Sequence, residues 1–416
     1  MRRDSICLLH GIHHRGRQGI YESADTENLW RQAGIGSFRE KSMKYRTMRF
    51  KGGEDRVSML GFGCMRFPLN EDGTIDEVLS EQMLDRALAA GVNYIDTAYP
   101  YHQGTSEPFV GRILAKYPRE SYFLATKLPV WKVNDPEEAQ AVFQEQLGRL
   151  GVKYVDYYLL HALNKERWEN LKKQGILSWA EQKVREGKIR HLGFSFHDSY
   201  EVFRDILTYR NWNFCQIQYN YMDTQEQAGD RGYALAEKMG VPMVIMEPVK
   251  GGGLARLPEE AKRELEDLGT GESPAAYAVR FAASFDGVFK VLSGMSDMEQ
   301  MKDNVSVMKA FRPFKEEEYK AVKRVCEILN TMDTIPCTAC RYCTDGCPKH
   351  IQIPDLFGCF NAKKQFGDWN SDYYYGVHTK NNGRASDCIR CGQCEKICPQ
   401  HLPVIEYLKE TAKVFE

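Results

Sequence analysis

Three strand-like runs in this chain each end in a residue able to take part in proton chemistry. The run from Asn93 to Tyr101 delivers a carboxylate, Asp96, and five residues later a phenol, Tyr101; the run Tyr122 to Lys127 ends in a lysine, and Tyr154 to His161 ends in a histidine. Successive parallel strands would carry all of these to one rim. A tyrosine with a pKa of about 10 becomes a usable proton donor if a nearby ammonium stabilises its phenolate, and Lys127 would supply that charge. Asp96 would hold Lys127 protonated and in place, while a neutral His161 orients a carbonyl oxygen beside the Tyr101 hydroxyl. Such a group protonates a carbonyl while a hydride arrives at its carbon. Singly, His161 also reads as a satisfied rim histidine and Lys127 as a solvated strand end; the argument rests on order and spacing together.

A second chemistry-bearing pattern lies near the C-terminus. Cys337, Cys340, Cys343 and Cys347-Pro348 are spaced as CxxCxxCxxxCP, and Cys388, Cys391, Cys394 and Cys398-Pro399 repeat that spacing. The duplicated run resembles bacterial ferredoxins with two [4Fe–4S] clusters, in which the fourth cysteine of each run ligates the other cluster. The assignment is therefore Cys337, Cys340, Cys343 and Cys398 to one cluster, and Cys388, Cys391, Cys394 and Cys347 to the other. Structural zinc is the plainer alternative for paired thiolates. The other five cysteines, Cys7, Cys64, Cys215, Cys326 and Cys359, are scattered and read as small buried hydrophobes.

The elements that must position these residues alternate. Strands are predicted near 58–64, 93–98, 122–128, 154–161, 189–195, 214–219, 241–247 and 288–293, with amphipathic stretches between, which reads as an α/β (β/α)8 TIM barrel. Catalytic residues collect at the C-terminal face of such a barrel. Asp135-Pro136 opens a helix that Gly151 ends, and Ser273-Pro274 opens another. A hairpin over Tyr45–Leu60 is placed to cap the barrel bottom. Residues 1–42 show no sustained periodicity and read as a peripheral extension, either a translated upstream segment before Met43 or an ordered arm, without the apolar core of a secretory signal. The expected organisation is then barrel over 43–315, linking helix over 316–332, and a small, mainly helical ferredoxin-like domain over 333–416.

Composition sets the remaining bounds. The 416 residues suffice for one large barrel and a small extra domain, with 43% hydrophobic residues for an ordinary core. With 56 basic and 57 acidic residues the net charge is −1, which provides no field to attract nucleic acid or an anionic membrane. No apolar run reaches the roughly 18 residues of a membrane span. A large chain with eight of its 13 cysteines in metal-type clusters points to a reducing cytoplasm.

Asp96-Thr97-Ala98 with Tyr101 five on from the aspartate, a lysine closing the next strand and a histidine closing the one after resemble the aldo-keto reductase tetrad. The resemblance covers about 45–330 and implies a nicotinamide cofactor. It places carboxamide contacts at Ser195 and Gln216, and further nucleotide contacts at Gly63, Met65, Glu247, Pro248, Lys250, Gly251, Gly252, Gly294, Met295, Gln300 and Asn304. Glycines 251–253 beside Lys250 suit close approach to an anion, and the helix opening near Ser296 suits a second phosphate contact. The sequence departs from the family pattern at Phe196, where an asparagine is usual, near Met246-Glu247, where an aromatic would stack on the nicotinamide, and at Gly294 and Gln300, where a lysine and an arginine would meet a ribose 2′-phosphate. NADP and NAD both stay open.

These observations predict a cytoplasmic oxidoreductase that reduces a small carbonyl compound, or oxidises the alcohol, and is coupled to or stabilised by two [4Fe–4S] clusters. The rival is an iron–sulfur electron-transfer protein whose barrel only docks a partner or a redox ligand. Hydride moves two electrons and each cluster one, so a relay needs a splitter, either a flavin, for which no motif is evident, or a redox partner protein.

Overall fold

The structure, a computed structural model, describes residues 42–50, 53–366 and 370–416. All but the last residue of the expected 1–42 extension, and the turn at Lys51-Gly52, lie outside them. Packing divides the chain into two units, residues to 248 with 279–313, and residues 249–278 with 314–416.

The first unit opens with an antiparallel hairpin, β1 (Tyr45–Phe50) and β2 (Gly53–Ser58). Eight further strands follow: β3 (Leu60–Gly63), β4 (Tyr94–Asp96), β5 (Phe123–Leu128), β6 (Val155–Leu163), β7 (Ile189–Phe196), β8 (Phe214–Gln218), β9 (Met243–Met246) and β10 (Val288–Gly294). They close into a barrel in the order β10-β3-β4-β5-β6-β7-β8-β9, every neighbouring pair parallel. These are the eight strands expected from sequence, each end within two residues. Strands covered on both faces read as continuous apolar runs, and in β6 all nine residues are buried.

The barrel interior is filled by side chains. Tyr94, Ala125, Tyr157, Leu159, Phe214, Val244 and Leu292 form one cluster, closed by Met48 and Val57 of the hairpin. Two glycines make room for it. A Cβ on Gly61 would stand 2.5 Å from Leu292 Cδ2, and one on Gly193 2.6 Å from the Phe214 ring. Because side chains alternate along a strand, the next inward position after Tyr94 is Asp96, after Ala125 is Lys127, after Leu159 is His161 and after Phe214 is Gln216. The pleat that packs the core thus lifts the chemistry to the layer above it.

The hairpin is fixed to the barrel by charge as well as by packing. Asp55 accepts from Arg190 (3.0 Å) and from the Tyr157 hydroxyl (3.0 Å), and pairs with His191 Nε2 at 2.7 Å. Outside the barrel, the helix Pro136–Leu150 starts where Asp135 accepts from the Glu138 N–H and ends at Gly151, whose φ of 66° is the left-handed cap conformation.

In the second unit, helices Glu259–Glu266 and Glu316–Asn330 pack on each other, and Ile353–Phe366, Asn370–Thr379, Gln393–Ile397 and Val404–Phe415 contribute to a small core that includes Ile335, Ile351, Leu356, Phe357, Phe360, Leu402 and Leu408. Tyr375 packs in that core, stacked on Phe415 at 4.5 Å, while Tyr374 is exposed.

Candidate active site and cysteine cavities

The strand ends bring the four expected residues together. Asp96 closes β4, and its register partners are Gly63 on β3 and Ala125 on β5, which leaves space for the Lys127 side chain to reach it. Lys127 Nζ donates to Asp96 Oδ1 at 2.5 Å and to the Thr97 carbonyl at 2.8 Å, with its side chain fully buried. The same nitrogen lies 4.9 Å from the centre of the Tyr101 ring. The Tyr101 and His161 rings meet edge to face at 6.0 Å.

Tyr101 is carried on a tight turn. His102, Gln103 and Gly104 follow it with φ of 50°, 55° and 90°, three successive left-handed residues that reverse the chain. A buried hydroxyl contact holds this turn to the strand end, Thr97 Oγ to Ser106 Oγ at 2.9 Å.

The electrostatics match the expected roles in one respect and correct them in another. Burial, reinforced by the Lys127, Arg167 and His197 charges, holds the His161 imidazole well below its ordinary value of 6.5, so it is neutral. The Tyr101 phenol, however, is pushed up and not down. Burial dominates, followed by Asp96, Cys64 and Glu247, against which Arg66 acts in the opposite sense. The physical reason is that burial penalises the phenolate more than the charges around it offset. Burial likewise raises the Asp96 carboxyl, opposed by Lys127.

Beside this group, Ser195 on β7 and Gln216 on β8 are register partners. Ser195 Oγ accepts from the Ala162 N–H at 2.7 Å, which leaves its own O–H as a donor. Gln216 Oε1 is buried and finds no hydrogen-bond partner among the described residues, while Nε2 contacts Met246 Sδ. A donor and an orphaned acceptor side by side fit a carboxamide, which needs one of each.

The other expected nucleotide residues are placed unevenly. Gly63 packs against Ser293 and Gly294, Met65 is half-buried at the end of β3, and Pro248 is buried after β9. Glu247, with φ of 56°, pairs with Arg66 at 3.5 Å. Gly294 is exposed and lies beside the Arg66 stem, since a Cβ there would stand 3.0 Å from Arg66 Cγ. At the helix Met298–Lys309, Asp297 accepts from the Gln300 N–H, and the Gln300 amide folds back onto Asp297 and Ser296. That N-terminus is capped by the chain's own carboxylate. Asn304 donates to Ser293 Oγ, and Met295 is buried. Lys250, Gly251 and Gly252 fall in the second unit.

Two neighbours were not visible in the sequence. Trp131, 39% exposed, stands 5.2 Å from the His161 ring with the Arg167 guanidinium 4.6 Å from its own. Arg66 reaches past the end of β10 to Glu247 at 3.5 Å. Trp131 lies four residues beyond Lys127 and Arg66 three beyond Gly63, so position just after a strand end was the available signal.

In the second unit the cysteines gather into two cavities. Cys337, Cys340, Cys343 and Cys398 line one, with Phe357, Leu402 and Val404; Cys347, Cys388, Cys391 and Cys394 line the other, with Ile351, Ile405 and Leu408. Ile353 borders both. Each run therefore contributes three thiols to one cavity and its fourth to the other. Four sulfur donors in an apolar housing are the donor set of a cubane cluster.

Comparison with known proteins agrees with both halves. Residues 59–327 match the family described as "Aldo/keto reductase family", and residues 336–403 match "4Fe-4S dicluster domain". An uncharacterized oxidoreductase of Bacillus subtilis (strain 168) is 25% identical over 300 residues, 64% of this chain and 92% of its own length. The NADH-specific methylglyoxal reductase of Escherichia coli (strain K12) is 28% identical over 198 residues, 44% of this chain and 60% of its own. Among solved structures, the holo form of an aldo-keto reductase from Bacillus halodurans superposes with a TM-score of 0.57 at 28% identity, covering 68% of this chain and 96% of that one.

Proposed function

Since the chain belongs to the aldo/keto reductase family and carries a 4Fe-4S dicluster domain, it is an oxidoreductase, and we propose that its barrel reduces a small carbonyl compound with NADPH or NADH. The observation that carries the reading is the convergence of Tyr101, Lys127, Asp96 and His161 beside the paired Ser195 and Gln216. A reduced nicotinamide, when bound, supplies the hydride. Ser195 and Gln216 would hold its carboxamide. The neutral imidazole of His161 donates to the carbonyl oxygen and turns it towards Tyr101. As hydride reaches the carbon, the Tyr101 O–H gives its proton to that oxygen, and the alcohol forms. A phenol pushed above 10 can still do this, because the alkoxide developing on the carbonyl oxygen is a far stronger base than a phenolate. Lys127, held by Asp96, offers positive charge to the phenolate left behind.

The eight cysteines would hold two [4Fe–4S] clusters with the ligand sets of the two cavities, and such clusters exchange single electrons with a partner protein or a flavin. In functional terms we divide the chain into a barrel over 43–315, a linking helix over 316–332 and a cluster domain over 333–416, and we place the protein in the cytoplasm. Among the described residues no helix is long and apolar enough to cross a membrane.

The test is turnover of anaerobically purified protein with NADPH or NADH and a panel of aldehydes and ketones. A 2-oxoaldehyde belongs in the panel, because the Escherichia coli relative acts on methylglyoxal by name. Absence of turnover with either nucleotide would refute the proposal and favour an electron-transfer protein.

A further inference from the structure

The loop that follows β9 has two faces with different surroundings. Lys250, Gly251 and Gly252 take φ of 48°, 64° and 95°, three successive left-handed residues, and the turn closes on the Val249 carbonyl, which accepts from Gly252 and Leu254. On one face Gly251 lies directly on the backbone of Thr338. A Cβ at Gly251 would stand 2.5 Å from the Thr338 carbonyl oxygen and 2.8 Å from its C and Cα, so that glycine is required by position as well as by φ. Thr338 is buried and lines the first cysteine cavity, between Cys337 and Cys340.

The ligand loop it belongs to is held firmly. Ala339 N–H donates to Cys337 Sγ, Ala339 and Arg341 are left-handed, and Arg341 makes a bidentate pair with Asp355 at 2.5 and 2.9 Å. A displacement of Thr338 must therefore pass to the sulfurs on either side of it. At Gly253 the loop is exposed. Nothing stands within 4 Å of a Cβ built on Gly253, and at Gly252 the neighbour is the Arg256 guanidinium at 3.7 Å. Lys250 and Arg256 thus bring two cations to a turn of glycine backbone, a suitable seat for a phosphate.

We propose that a nucleotide phosphate on the Lys250–Gly253 loop and the electron affinity of the Cys337, Cys340, Cys343 and Cys398 cluster are thermodynamically linked through the contact of Gly251 with Thr338. The proposal rests on the reading of these cysteines as cluster ligands and of the loop as a phosphate contact. The sign follows from charge. An electron added to the cluster makes it more negative, an anion on the adjoining loop opposes that, and so the ligand lowers the reduction potential. Linkage is reciprocal, and reduction of the cluster must weaken phosphate binding by the same factor. The cluster would then favour nucleotide release when reduced.

The probe is ADP-ribose, which carries the pyrophosphate but has no nicotinamide and exchanges no electrons. Equilibrium dialysis measures its binding to oxidised and to dithionite-reduced full-length protein, and an EPR-monitored redox titration measures both cluster midpoints with and without it. The expected result is weaker binding to the reduced protein and a fall in one midpoint, a tenfold affinity difference corresponding to about 59 mV for a one-electron couple. Gly251→Ala should alter the EPR signal of one cluster and leave the other. Lys250→Met combined with Arg256→Met, which leaves the Thr338 contact alone, should keep both signals and lose ADP-ribose binding and the shift together. ADP-ribose that binds equally in both redox states, with unmoved midpoints, overturns the linkage. Failure of ADP-ribose to bind at all overturns the phosphate reading of the loop, and the linkage with it.

Discussion

In the proposed reaction one atom of Tyr101 carries the proton, and its environment sets the pH dependence. Tyr101→Phe removes the proton donor and leaves the Ser195 and Gln216 contacts in place. Reduction should fall by about 10²- to 10⁴-fold, the usual worth of a positioned general acid, with nucleotide affinity nearly unchanged. Single-turnover rates and a nucleotide titration check this, and retention of most of the wild-type rate would refute the assignment. Because burial, Asp96, Cys64 and Glu247 push the phenol above its ordinary 10.0, the donor stays protonated through the neutral range. The alkaline limb of kcat for reduction should accordingly lie above pH 10. Lys127→Met should both slow the reaction and move that limb further up, since Asp96 would then act on the phenol unopposed; an unchanged pH profile argues against the pairing. That these four residues gather could be read from sequence, because Asp96, Lys127 and His161 lie at or near the ends of successive strands and Tyr101 follows Asp96 by five positions. The direction of the Tyr101 shift could not, since it depends first on how deeply the phenol is buried, and the burial is set by the tertiary packing.

At the scale of elements, the barrel strands were legible because each is a short apolar run bounded by turns, and the hairpin because two β-rich runs flank a glycine turn. What seats the hairpin was not. Asp55 meets Tyr157, Arg190 and His191, which lie 102, 135 and 136 positions away, and no local pattern announces such a contact. Nor does periodicity reveal that Lys290, inside the barrel, lies over the Tyr94 ring at 3.2 Å. Asp55 is buried, and removing one member of a buried charged group leaves its partners unpaired, so Asp55→Ala should cost about 3–5 kcal/mol in chemical denaturation. The pH dependence has a definite sign. Burial pushes the Asp55 carboxyl up, but the hydrogen bond and charge of His191 with the charge of Arg190 outweigh it and hold it below 3.8. A depressed carboxyl contributes stability above its unfolded value and loses it on acidification. The difference between wild type and variant should therefore be full at neutral pH and shrink below about pH 3.8. A difference constant down to pH 2 would show that charge is not what holds the hairpin.

For the whole molecule the question is what a cluster domain does for a hydride-transfer barrel. Two cubanes require about eight irons per chain, and anaerobic protein should be brown with that content; zinc, or about four irons, would refute the two-cluster reading. The role is then decided at Cys391, an exposed cysteine of the second cavity. If the clusters relay electrons, Cys391→Ser should slow dye- or ferredoxin-coupled activity far more than hydride transfer from NAD(P)H in a single turnover, because only the former needs iron. If they are structural, both activities should fall together with the melting temperature, since a cluster bound by the folded state alone adds its binding free energy to folding. We expect the relay. Ferredoxin-type clusters span about −700 to +450 mV according to their surroundings, a range that includes useful donors to a reductase, whereas a purely structural need is met by one zinc ion. The exposure of Cys391 favours the same outcome, because an outer-edge thiolate is where a carrier can approach, and a structural site has no reason to be open there. Equal losses of both activities with a lowered melting temperature would establish the structural role instead.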